Sequence, residues 1–176
     1  MGGFMKKCAA ALGLFMTIII LTGCSSAKIW TSTPLIQSAS NQYFDTQLEP
    51  IRVDGEFING FRLTVTNKAP QTLIVDWNAT LYLFNNKDTG RFVFEGIDAK
   101  NVNNPPPDNI AAGNTLRKDI FPLKLIAWRQ GPGFANLPAF SPGPVPEGQN
   151  GILLMITSDG SQVREKINVT IKVVAK

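Results

Sequence analysis

The sequence predicts an all-β protein, an antiparallel β-sandwich of seven or eight strands, and three observations predict it. Runs such as Phe61-Arg62-Leu63-Thr64-Val65-Thr66 alternate apolar and polar residues, the two-residue period of a half-buried strand. These runs are separated by Asn-, Gly- and Pro-rich turns. After the first two dozen residues no stretch carries the period of an amphipathic helix.

The chain opens differently. Lys6 and Lys7 precede an apolar run from Ala9 to Leu21, about 13 residues and short of the ~20 that span a bilayer as a helix. Basic start, apolar middle and small residues at the end are the parts of a secretory signal peptide, assigned to residues 1–23. An uncleaved anchor and a buried core helix are the competing readings. Leu21-Thr22-Gly23-Cys24 resembles the lipobox of bacterial lipoproteins. That resemblance implies cleavage before Cys24, lipid on Cys24 and a membrane partner held through that lipid. Ser25, standing where Asp would signal inner-membrane retention, implies the outer membrane, on its inner leaflet or at the cell surface. Met5-Lys6-Lys7 is a more usual signal start than Met1, so translation from Met5 is an open alternative.

Residues 24–42 are expected to be a lipidated tether, because Ser25 to Gln42 is rich in small polar residues. Trp30 within it is placed either at the membrane interface or packed on the domain. Residues 43–176 are expected to form the sandwich. Ile51 and Val53 alternate with Arg52 and Asp54, and Phe61 to Thr66 follow, ended by Asn67-Lys68-Ala69-Pro70. Leu73 to Phe84 reads as a central strand, broken near Asn78. Asn85 to Gly90 is a hairpin loop, and Arg91 to Glu95 the returning strand. Asn101 to Asn114, with Pro105, Pro106 and Pro107, is a loop or edge crossing. Thr115 to Phe121 is a strand stopped by Pro122, and Leu123 to Trp128 a short strand or turn. Gly131 to Gly148, with five prolines, is a long irregular loop. Ile152 to Ile156 is a buried strand, Asp159-Gly160 a turn, and Ile167 to Val173 the last strand. This punctuation favours an immunoglobulin-like Greek key. The segments Phe61 to Trp77 and Asp108 to Leu123 resemble uncharacterised bacterial envelope lipoproteins with immunoglobulin-like sandwiches. The resemblance implies fold and location rather than an activity.

Composition narrows the chemistry. Cys8 and Cys24 are the only cysteines, so a chain cleaved before Cys24 and lipidated there has neither disulfide nor thiolate chemistry. The sequence has no histidine, the commonest metal ligand and general base. No cofactor, no metal and no catalytic role are expected. The formal charge of +4 falls to about +2 without Lys6 and Lys7, and no basic run marks a nucleic-acid partner.

Four features bear on function. Asp76-Trp77 is either a binding acid or a solvent-facing carboxylate beside a core indole. Asn78-Ala79-Thr80 and Asn168-Val169-Thr170 match a glycosylation pattern by chance. Asp98, Asp108, Asp119 and Asp159 lack the spacing of a calcium loop. Trp128, Phe134 and Phe140, in or beside the proline-rich loop, are the candidate partner contacts, the competing reading being a cap on one end of the sandwich. The expected function is a lipid-anchored structural or interaction module that docks to an envelope protein, for example a secretion or surface-assembly component. A glycan- or small-ligand-binding lipoprotein is the alternative.

Overall fold

The computed structural model describes residues 28–53, 57–97, 99–128 and 140–175. The predicted signal peptide and Cys24 lie outside them. The strands are β1 (Lys28–Thr33), β2 (Gln37–Ser40), β3 (Phe44–Ile51), β4 (Gly60–Asn67), β5 (Leu73–Val75), β6 (Leu81–Phe84) and β7 (Lys87–Gly90). They continue with β8 (Phe92–Phe94), β9 (Asp108–Ile110), β10 (Thr115–Pro122), β11 (Ile126–Trp128), β12 (Phe140–Pro142), β13 (Gly148–Ser158) and β14 (Ser161–Ala175). The described residues hold no α-helix, and every strand pair among them is antiparallel.

One sheet runs β1-β14-β13-β5-β9, with β6 also on β13 and β7 on β6. The second runs β2-β3-β4-β10-β8, and β11 and β12 form a separate ribbon. The two large sheets share one apolar core, as in a β-sandwich. Leu48, Phe61, Leu63, Val65 and Ile120 from the second sheet join Val75, Tyr82, Ile152, Leu154 and Val169 from the first in a single buried cluster. The Phe61 and Tyr82 rings meet across it with centroids 6.4 Å apart.

The strand count exceeds seven or eight because one predicted strand is divided and segments read as tether or loop supply β1, β2, β7, β9 and β12. Leu73 to Phe84 is cut where Asp76 turns the chain: its Oδ1 accepts the backbone N–H groups of Asn78 and Ala79 at 2.9 and 3.2 Å. β5 and β6 then lie end to end along one side of β13, at Ile156–Ser158 and Asn150–Leu153 respectively. The loop at Asn85 to Gly90 is tighter than expected. Asn85 and Asn86 take φ of 49° and 63°, the double left-handed step of a two-residue hairpin turn, and Lys87 to Gly90 returns as β7.

The tether reading is corrected from Lys28 onward. β1 pairs with β14 from Lys28↔Ala175 to Thr33↔Thr170, and β2 pairs with β3. The ladders begin at Lys28, so the expected boundary at Tyr43 falls inside the sheet structure. Trp30 packs on the domain, edge-on to Phe57 at 6.0 Å, and its carbonyl accepts from the Arg52 guanidinium.

Candidate functional site

Two places gather side chains with chemistry. The first lies at the edge of the second sheet. β10 alternates Leu116, Lys118 and Ile120, in register with the buried Val65, Leu63 and Phe61. Lys118 therefore leaves the sheet on the core face. Its ammonium pairs with Asp108 and sits 3.9 Å from the Phe94 ring centroid and 5.2 Å from that of Trp77. Trp77, fully buried, donates its indole N–H to Asp108 Oδ2 at 2.8 Å. A carboxylate and two aromatic faces are the contacts that offset the desolvation of an ammonium on a core face.

On the opposite face of β10, Asp119 aligns with Arg62 of β4 and Glu49 of β3. Arg62 grips Asp119 with two parallel bonds of 2.8 and 2.9 Å and lies 3.8 Å from Glu49. The Asp119 carboxylate beside it raises the Arg62 pKa further. Arg62, Phe94, Glu95, Arg117, Lys118 and Asp119 border an open depression of about 410 Å³. Nearby on the same sheet, the Lys68 ammonium, 2.7 Å from Asp45, and the Ser40 hydroxyl hold the Asp45 carboxyl below its usual range. These carboxylates are committed to cations and hydroxyls.

The second place is the ribbon. β11 and β12 align Ile126↔Pro142, Ala127↔Ser141 and Trp128↔Phe140. Its base is held firmly: Gly143 N–H donates to Leu125 O at 2.8 Å, and Val145, wholly buried, donates to Ile58 O at 2.8 Å. Trp128, at the far end, is 42% exposed. Trp128 and Phe140, two of the predicted contact residues, are thus brought together as backbone partners. Phe134 lies outside the described residues, as does Cys24. The proline-rich stretch is not irregular throughout, since Phe140 to Pro142 is a strand and Val145 anchors in the core.

Sequence reasoning missed the Trp77–Asp108–Lys118 group and two buried asparagines. Asn67 donates to Gln71 O and Ile110 O, both at 2.8 Å, and accepts from Ala69 N–H. Asn150 donates to Pro146 O and Gly148 O and accepts the Tyr82 hydroxyl. Lys118 was findable, because it falls in phase with Leu116 and Ile120. Asp76 itself serves its turn, and Trp77 fills the core. Among the described residues no group of three His, Cys, Asp or Glu side chains could hold a metal ion, and no helix is long and apolar enough to cross a membrane. Set against family models, curated proteins and solved structures, the chain matches none.

Proposed function

We propose that this chain is a lipid-anchored bacterial envelope protein, tethered through Cys24 to the outer membrane, whose immunoglobulin-like sandwich docks a protein partner. The Greek-key part of the reading is supported by β4 and β10 lying side by side while β5, β6, β7 and β9 between them belong to the other sheet. Binding rather than catalysis is favoured by how the carboxylates are used. Asp45, Asp108 and Asp119 neutralise Lys68, Lys118 and Arg62, and Asp76 holds a turn.

The observation that carries the docking role is Trp128. A tryptophan at the end of a well-anchored ribbon, outside both main sheets and 42% exposed, offers large contact area at small entropic cost. The test is capture from gently solubilised membranes with the full chain and with Trp128→Ser. The expected result is a reproducible protein partner whose recovery falls at least tenfold with the variant at unchanged melting temperature. Equal recovery by both chains would remove the ribbon as the docking surface. Recovery of a sugar or lipid instead of a protein would replace the docking role with ligand binding.

A further inference from the structure

The end of the β1–β14 pair projects beyond the rest of its sheet. β13 joins β14 only as far as Gly148↔Ile171, so Lys172 to Ala175 and their partners Lys28 to Thr31 form a two-stranded tongue. Ile29 and Val174 are direct cross-strand partners on it, and both face solvent, at 38% and 44% exposed. Lys172, two residues from Val174, shares their face. Lys28, at the tip of the tongue, is exposed on the alternate face. Neither Lys28 to Phe44 nor Lys166 to Lys176 contains an Asp or Glu.

We infer that this tongue rests on an anionic lipid surface, with Ile29 and Val174 entering the headgroup layer and Lys28 and Lys172 meeting lipid phosphates. The inference rests on the lipid-anchor reading. Only Ser25, Ser26 and Ala27 separate Cys24 from Lys28, a reach of at most about 14 Å. A lipid on Cys24 therefore holds the tongue in the immediate neighbourhood of the bilayer. There lysines gain from negative surface potential, and an exposed apolar pair gains from leaving water. The surface also fixes an orientation. β14 is 15 residues long, so the Asp159–Gly160 turn stands roughly 50 Å from the tongue's end. Leu35, at 77% the most exposed large apolar side chain among the described residues, lies in the bend just past the far end of β1, whose last residue Thr33 is about 13 Å along the strand from Ile29.

The test uses the full chain reconstituted in vesicles of phosphatidylcholine and phosphatidylglycerol. Single-thiol variants Ile29→Cys, Val174→Cys, Leu35→Cys and Asp159→Cys carry an environment-sensitive dye, and intact mass reports acylation of Cys24. Blue-shifted emission, quenched by nitroxide lipid, is expected at 29 and 174, with water-like emission at 35 and 159. An acylated chain whose dyes at 29 and 174 match that at 159, or whose dye at 35 is the quenched one, overturns the inference. If the mass shows no acyl group, the anchor reading fails, and the same four labels, in a chain with Cys8→Ser and Cys24→Ser, decide the surface alone. Quenching confined to 29 and 174, weakened roughly fivefold for each of Lys28→Gln and Lys172→Gln, keeps it. Water-like emission at all four removes it.

Discussion

The indole N–H of Trp77 and the carboxylate of Asp108, 31 residues apart in sequence, meet in a 2.8 Å hydrogen bond. Trp77 lies two residues past the end of β5, and Asp108 opens β9, which pairs with β5. The bond therefore fastens a core side chain to the sheet's last strand. Because Asp108 also holds Lys118 of the second sheet, it joins the two sheets through β9 and β10.

Trp77→Phe keeps an aromatic ring in the core and removes the donor. We expect a loss of about 1–3 kcal/mol, since a partly buried carboxylate loses a partner. Combined with Lys118→Met, the two changes should be coupled rather than additive, by ~0.5–3 kcal/mol in a double-mutant cycle. Chemical denaturation of the four chains measures this. Additivity to within ~0.3 kcal/mol would mean that the group does not act as a unit.

Burial raises the Tyr82 phenol above the ordinary tyrosine value of 10.0. A raised folded pKa means that the native state keeps a proton that the unfolded chain releases. Its contribution is complete below pH 10 and is lost as pH climbs through the folded value. The melting temperature should therefore fall above pH 10, and less steeply in Tyr82→Phe. That variant should also be less stable at neutral pH by ~1 kcal/mol, because the Asn150 oxygen loses its donor. Parallel alkaline slopes for the two chains would exclude Tyr82 as the source.

Thr46 is buried in β3, and its hydroxyl has no hydrogen-bond partner. Thr46→Val keeps the shape and discards the unsatisfied group. A gain of about 1 kcal/mol is expected, read as a higher melting temperature at unchanged denaturant slope. A loss would show that the hydroxyl is solvated in solution.

A chain starting at Lys28 should fold, whereas one starting at Tyr43 should not fold stably. The shorter chain strips β14 of six register partners and β3 of four. At ~0.5–1.5 kcal/mol per hydrogen bond the deficit is on the order of 5 kcal/mol, comparable to the whole stability of many domains. Thermal melts of the two chains decide it. Equal melting temperatures would make β1 and β2 dispensable.

The same two strands show where the sequence stopped being legible. β4 and β14 are legible because Leu63 and Val169 belong to runs that repeat at the strand period, β13 because Ile152 to Ile156 is a continuous apolar run, and β10 because Pro122 ends it. Gln37-Ser38-Ala39-Ser40 carries almost no apolar signal. What holds it is the backbone ladder to β3, and a ladder at a sheet edge leaves little mark on side-chain pattern. The aromatics around the proline-rich stretch were found from composition. Their pairing as Trp128↔Phe140 was not, because register across an eleven-residue gap depends on what closes it. Asp108 was seen only as a scattered acid. Its role emerges once β9 lies beside β5 and brings Trp77 and Lys118 to it.

The pairing of Lys28 with Ala175 has a topological consequence. Cross-strand partners lie about 5 Å apart, so the first and last strands of the domain leave it nearly adjacent. A linker of a few glycines would close the chain into a ring, and new ends opened at Asp159–Gly160 would give a circular permutant that keeps every ladder except the turn between β13 and β14. A reporter fused after Ala175 would emerge beside Lys28. One carried at residue 160 would stand at the opposite pole.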